Sequence, residues 1–329
     1  MKMGGDNGKM VLRIFLISML TWGIEWQFVR AENYYGMAND YLQYGAGARS
    51  LAMGGAYVAL ADEASASYWN PAGLAQIEEH QFLSMYAPFF EGTSYNFISY
   101  VHPLRKIGNL AISDVFLYSG GYEEVSAIGE VTGKSSSVWK NAAIISYANR
   151  VHRSIFLGAS LKLINEQVMG YSGSGQGIDL GILCKPSDGL SIGLAVQNVL
   201  QPKVTLREEP DVYKINLKAG LALNTLSKRL TLTADINKLV DEKAYFSAGV
   251  EISPWEKISR YSLNRVDLRL GIDHLQRLAL GMGLKIEFLS LDYAFSSHKV
   301  GDLHRFGLTF RWGSIYKMRA KPILKSKRH

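Results

Sequence analysis

Gly189-Leu190-Ser191-Ile192-Gly193 is the one string in this sequence that could announce a catalytic serine. A G-x-S-x-G elbow needs a strand, a sharp turn carrying the serine and then a helix. Here Asp188-Gly189 reads as the turn, and Leu190, Ile192, Leu194 and Val196 alternate as a strand, so the string predicts sheet and not a nucleophile. Gly45-Ala46-Gly47-Ala48-Arg49-Ser50 could in principle cradle a phosphate. It misses the third glycine of a dinucleotide loop, lacks the P-loop lysine and follows no strand. The seven histidines form no HExxH pair, and His298 and His304 read as exposed loop residues facing across a hairpin. With Cys184 as the lone cysteine, neither a cysteine-based metal site nor an intrachain disulfide is possible. A lipid-cleaving site would need Ser, His and an acid brought together, and no local cluster suggests one. Basic residues are not interleaved with aromatics, so nucleic acid is not an expected partner. The expectation is a protein without catalytic residues, metal or cofactor.

The charges that remain to be explained are Lys218, Asp235, Arg269 and Asp292, because each stands in an alternating segment opposite apolar residues. Leu217, Ala219 and Leu221 alternate with Lys218 and Gly220, and Leu232, Ala234 and Ile236 with Thr233 and Asp235. Leu268 and Leu270 flank Arg269, Leu291 and Tyr293 flank Asp292, and the last such stretch sets Phe306, Leu308, Phe310 and Trp312 against Arg305, Thr309 and Arg311. A period of two over about ten residues is a strand with one face for hydrocarbon and one for water, as a transmembrane β-barrel requires. The charges then line the lumen. There they brace the wall as pairs or, alternatively, select a substrate. The inward glycines are expected to make room for these long neighbours.

Strand-sized segments number about fourteen: 80-87, 93-102, 108-118, 137-149, 153-166, 176-186, 189-199, 213-224, 228-239, 244-252, 262-273, 276-285, 287-296 and 303-312. An even count and a length near ~9–11 residues suit a single-chain barrel. The connections alternate between short, often basic turns (Pro103 to Lys106, Arg150 to Arg153, Pro186 to Gly189, Leu226 to Arg229) and longer or acidic loops at 119-136, 167-175, 200-212 and 297-302. This predicts short periplasmic turns, longer external loops and both termini on the periplasmic side. Tyr86, Tyr118, Tyr147, Tyr171, Tyr213, Tyr245, Tyr293 and Trp312 fall near strand ends, where an interfacial girdle would sit.

The rest of the chain fits that plan. No apolar run reaches the ~18 residues of a spanning helix, and 47% hydrophobic content is what half-polar strands dilute to. Lys2, Lys9 and Arg13 precede the apolar stretch Ile14 to Ile24, followed by Val29-Arg30-Ala31, so residues 1-31 read as a secretory signal, with a short anchor or buried helix as the alternative. Its removal takes four basic and two acidic side chains and leaves a net charge of +5. Residues 32-79 read as a compact plug of short helical turns, because small residues dominate and no charged solvent face of its own is present. Residues 80-312 form the barrel, and 313-329 a basic periplasmic tail.

The run Gly45-Ala46-Gly47-Ala48-Arg49-Ser50-Leu51-Ala52-Met53-Gly54-Gly55-Ala56, with Asp62 and Trp69-Asn70-Pro71-Ala72-Gly73, resembles the N-terminal signature of PorV/PorQ proteins and their FadL-like relatives. Leu291-Asp292-Tyr293-Ala294-Phe295 and His304-Arg305-Phe306 resemble that family's closing hairpin. The resemblance implies a fourteen-stranded antiparallel outer-membrane barrel with an N-terminal plug, and a ligand path near Arg49 and the turn Asn70, Pro71, Ala72 and Gly73. The 17 residues beyond Trp312 depart from its usual aromatic ending. Two functions follow. One is admission of hydrophobic, fatty-acid-like molecules across the outer membrane, and the other is a type IX-like secretion accessory that holds exported cargo. Outer-membrane lipid is a partner in both, and a soluble secreted β protein is the third reading.

Overall fold

Alternation over stretches this short can be satisfied only if every strand finds partners on both sides, and the computed structural model closes them into a ring. It describes residues 40–313 except 90–91, 127, 226–228, 259–262, 274, 276 and 298–301. The predicted leader, the first part of the plug segment (32–39), the tail after Gly313, Phe90 and His298 lie outside the described residues.

The barrel strands are β1 (His80–Pro88), β2 (Thr93–Pro103), β3 (Asn109–Val125), β4 (Val131–His152), β5 (Ile155–Val168), β6 (Tyr171–Ser187), β7 (Leu190–Leu200), β10 (Asn216–Thr225), β11 (Leu230–Leu239), β12 (Tyr245–Ile258), β13 (Leu263–Ile272), β14 (Leu278–Ile286), β15 (Leu289–Ser296) and β16 (Leu303–Trp312). Between β7 and β10 lies a two-stranded hairpin, β8 (Lys203–Thr205) with β9 (Pro210–Val212). Each barrel strand pairs antiparallel with its neighbours, and β16 returns to β1 in register from His80 opposite Trp312 to Tyr86 opposite Phe306. The fourteen-stranded closed barrel expected from the alternation is the fold observed.

Side-chain burial decides which face is which. Leu217, Leu268, Leu280 and Leu291 are 44–48% exposed, whereas Lys218, Asp235, Arg269 and Asp292 are all at or below 9%. A water-soluble sandwich would have the reverse, so the outer wall is built for hydrocarbon.

Three loop expectations are corrected. Segment 119-136 is not a loop, because β3 and β4 run on as a tall hairpin that turns only at 126–130. Segment 167-175 shrinks to a tight turn at Met169-Gly170, with both flanks in strand. Segment 200-212 folds inward as β8–β9, with Val204 fully buried against the inner face of β6 at Gly173 and Gly175. Two of the proposed girdle aromatics also point inward: Tyr213 is fully buried and Tyr245 lines the lumen, while Tyr86, Tyr118, Tyr147, Tyr171 and Trp312 are exposed.

Inside the ring lie α1 (Asp40–Gln43), α2 (Ala48–Ala52), α3 (Ala66–Trp69) and the 3-10 turn Pro71–Gln76. Helices of four and five residues have no stability of their own, so the wall that packs on them holds their shape. Tyr44 sits edge-on to Phe89 and Tyr95, at the end of β1 and β2 away from His80 and Trp312. The first described residues therefore stand at the long-loop end, and the plug descends from there to His80; the N-terminus, expected at the short-turn end, lies outside the described residues.

Candidate functional site, the plug and its seat

Backbone can approach backbone only where no side chain intervenes, and the inner wall supplies that condition at the plug. A Cβ on Gly158 of β5 would collide with the Pro71 carbonyl carbon and the Ala72 nitrogen, and one on Gly181 of β6 with Asn70 Oδ1. The same crowding meets Val58 at Gly193, Met53 at Gly249, and Met53 and Gly54 at Gly271. Most inward glycines thus seat the plug. The expected role, room for long charged neighbours, is met at Gly220 beside Asp235 and at Gly283 beside Arg269 and Asp292.

The Asn70 to Gly73 turn fits this seat because each residue type does a separate job. Asn70, fully buried, donates through Nδ2 to Val58 O (2.9 Å) and to Ile182 O of β6 (3.1 Å), and its Oδ1 accepts from the Ala72 amide (3.1 Å). This caps the turn that Pro71 begins, where a missing N–H costs nothing. Ala72 is fully buried, and Gly73 lies against the Ala61 backbone. Asn109 of β3 donates to Leu74 O (2.5 Å) and Ile77 O (2.7 Å) at the lower end of the same turn.

Arg49 ties the other half of the plug to the opposite wall. Its Nε and Nη2 donate to the two carboxylate oxygens of Glu251 at 2.8 and 2.9 Å, and its Nη1 donates to Asp62 (2.7 Å) and to the Tyr57 hydroxyl (3.0 Å). Glu251 is shared with Arg269, whose Nε lies at 2.7 Å and whose Nη1 reaches Asp292 at 2.6 Å. Arg265 and Asp267 extend the chain of charges at 2.8 Å. Forked, fully hydrogen-bonded pairs of this kind are the form in which buried charge is tolerated. Burial pushes the Asp62 carboxyl up, but Arg49 and the Tyr57 hydroxyl outweigh it and hold the group below the ordinary carboxylate range. At Glu63 burial wins over Arg49, and the carboxyl is held above its ordinary value.

Asp235 and Lys218 act between these halves. Asp235 Oδ2 accepts the backbone amides of Tyr57 (2.7 Å) and Val58 (2.8 Å), and Lys218 Nζ ends 4.9 Å from the centre of the Trp69 ring. Of the residues singled out from sequence, Arg49, Arg269 and Asp292 thus join one network, Asp235 fastens plug backbone, and Asn70 to Gly73 occupy a different wall. Sequence reasoning missed Glu251, Asn109 and the seating role of the glycines. Glu251 was visible as an inward charge between Val250 and Ile252, but nothing local pairs it with a residue 202 positions away.

The other motifs find structural places. Ser191 is buried in β7, which runs on to Leu200, so the helix an elbow requires does not follow. His304 shares a hydrogen bond with the Tyr293 hydroxyl at 2.7 Å on the outer face. Among the described residues no three His, Cys, Asp or Glu side chains are placed to hold a metal ion. Above the plug a cavity of about 80 Å³ is lined in part by Trp69, Lys218 and Arg305, and one of about 400 Å³ lies at the short-turn end beside Ala75 and Arg150. The upper cavity is well below the ~300–1,000 Å³ of a small-molecule pocket, so a ligand of that size needs the plug or wall to move.

A closed fourteen-stranded transmembrane barrel with an N-terminal plug folded inside it is the class these features define. No family model and no curated protein matches the sequence. Among solved structures the chain is similar to the Ralstonia pickettii toluene transporter TbuX, at 14% identity and a TM-score of 0.54 over 82% of this chain and 99% of that one. The Pseudomonas putida toluene transporter TodX follows at 14% identity and 0.52, over 80% and 96%. A Pseudomonas aeruginosa FadL homologue stands at 11% and 0.51, over 79% and 96%. At such identities the likeness is one of fold, and the chain has the FadL-like barrel fold.

Proposed function

We propose that this chain is a non-enzymatic outer-membrane barrel that admits hydrophobic small molecules, fatty-acid-like or aromatic, with the plug as its gate. The observation that carries the reading is the plug itself: a folded segment clamped across the lumen of a barrel similar to solved hydrocarbon transporters. The mouth proposed from sequence comprised Phe89, Phe90, Tyr122, Val125, Ile128 and Tyr171. Of these, Ile128 is 81% exposed at the tip of the β3–β4 hairpin, Tyr122 and Tyr171 are partly exposed, and Phe89 packs on Tyr44. On this reading residues 1-31 export the chain, 32-79 gate it and 313-329 extend into the periplasm. The path runs from the hairpin tips past Arg49 and the Asn70 to Gly73 turn.

Deleting the gene is expected to slow uptake of apolar compounds such as toluene or palmitate, and restoring it to recover the rate. Undiminished uptake of every compound tested would refute the reading. The PorV/PorQ kinship and its secretion role rest on the motifs at 45–75 and in the closing hairpin at 291–306. The acidic segments such a role would use are folded otherwise, as the tall β3–β4 hairpin and the inward β8–β9 pair. Recovery of secreted proteins with a shared terminal domain on the purified barrel, with no co-purifying lipid, would favour it instead.

A further inference from the structure

The cavity of about 400 Å³ at the short-turn end is lined by Ala75 and Ile77 from the foot of the plug, by Asn109, and by the charged residues Glu78, Arg105 and Arg150. Neighbouring strands bring the two arginines to it. Arg105 stands in the turn between β2 and β3 and Arg150 near the end of β4, and β3 pairs with β4 from Asn109 opposite Ala148 onward. The Tyr147 hydroxyl of β4 donates to the Ile107 carbonyl and fastens that turn. Arg150 donates to the His152 carbonyl (3.4 Å) and to the Arg153 carbonyl, and its guanidinium carbon lies 5.4 Å from the centre of the Phe156 ring. These partners carry no charge. Among the described residues neither arginine has a carboxylate within ion-pair distance, since Glu79 turns to Arg311 (3.8 Å) and Glu78 shares the lining without reaching either one. The lining keeps one positive charge in excess.

Phe156, under the Arg150 guanidinium, leads back to the plug turn, because it packs with Ala72 and Leu183 and against Ala75. Apolar and cationic surface thus lie side by side below the turn. We propose that this cavity holds an anionic amphiphile, with its carboxylate on Arg105 and Arg150 and the adjoining alkyl carbons on Ala75 and Ile77. The volume falls within the ~300–1,000 Å³ of a small-molecule pocket, and a guanidinium fork matches a carboxylate in geometry as well as charge. Both arginines are exposed, so water weakens the pairing and a bound solute can leave. The inference rests on the hydrophobic-solute reading and narrows it: a fatty-acid-like solute has a station on the short-turn side of the plug that toluene lacks the charge to use.

The test titrates the purified full barrel in non-ionic detergent with sodium octanoate, sodium acetate and 1-octanol in turn, at constant ionic strength, with calorimetry as the readout. Saturable binding of octanoate is expected, about tenfold or more tighter than that of acetate or octanol. Arg105→Gln and Arg150→Gln should each weaken it several-fold, and the pair together abolish it. Glu78→Gln should tighten it, because the repelling carboxylate is gone; this variant carries the comparison if an arginine variant does not fold. No saturable binding of octanoate, equal binding of acetate or octanol, or binding unchanged in all these variants would overturn the site. Uptake of toluene and palmitate by cells with and without the gene is measured beside the titration. Gene-dependent uptake without octanoate binding overturns this site alone, whereas gene-independent uptake refutes the channel itself.

Discussion

Two walls of the same barrel hold the plug by different physics. On the β12 to β15 side, residues 49 to 63 are fastened by forked ion pairs, with Glu251 shared between Arg49 and Arg269. On the β2 to β7 side, residues 64 to 77 are fastened by neutral hydrogen bonds, Asn70 to Ile182, Asn109 to Leu74 and Ile77, Ser67 to Ser113 and Ser99 to Ala64, while backbone seated on glycine occurs on both walls. A neutral hydrogen bond contributes about 1 kcal/mol net, whereas removing one member of a buried ion pair costs about 3–5 kcal/mol. The contrast teaches where a gate can open. The charged wall is the expected hinge, and the neutral wall the expected opening edge.

The largest effect should come from the charged wall. Arg269→Met leaves Glu251, Asp267 and Asp292 short of a cation, and unfolding in detergent should show a loss of about 3–5 kcal/mol. A loss under about 1 kcal/mol would erase the distinction between the walls. Next is the seat: Gly181→Val drives a side chain into Asn70, with an expected cost of about 1–3 kcal/mol. Ion conductance in planar bilayers should rise, because the turn must back away from the wall. Asn70→Ala is milder, stranding the Val58 and Ile182 carbonyls at about 1–2 kcal/mol, with a smaller rise in the same assay.

The smallest effect is that of pH. Asp62 is held below its ordinary value in the folded state, so its contribution is complete above the ordinary carboxylate value and is lost as pH falls through the lowered one. Glu63 is held up, so its contribution is present in acid and fades as pH rises through the raised value. Asp62→Asn should therefore flatten the acid side of a plot of unfolding midpoint against pH, below about pH 5. An unchanged acid limb would remove Asp62 from the latch. The Asp62 side chain is 36% exposed, which keeps the expected shift small.

The barrel was legible in the sequence because burial on one face and lipid on the other leave a period-two record, as at Leu217 to Leu221 and Leu268 to Ile272. The plug was legible as a run of small residues, and its Asn-Pro turn as a turn. What could not be read is what depends on register between distant strands. Arg49 and Glu251 meet only because β12 lies opposite α2 in the ring. The extension of β3 and β4 through 119-136 was hidden because above the membrane neither face needs hydrocarbon-compatible side chains, so Gly120, Gly121 and Ser135 to Ser137 carry no alternation. Tyr213 and Tyr245 were misplaced for a related reason: position near a strand end does not say which face a ring occupies.

Movement of the neutral edge can be tested by locking it. Ser67 Oγ and Ser113 Oγ lie 2.7 Å apart, joining α3 to β3, so Ser67→Cys with Ser113→Cys, in a Cys184→Ser background, places two thiols where a disulfide can close. Uptake of a labelled apolar solute by proteoliposomes is then measured on one preparation, oxidised and then reduced. We predict little uptake in the oxidised form and recovery on reduction. Equal uptake in both states, with the disulfide verified by mass, would contradict a plug that gates by leaving this wall.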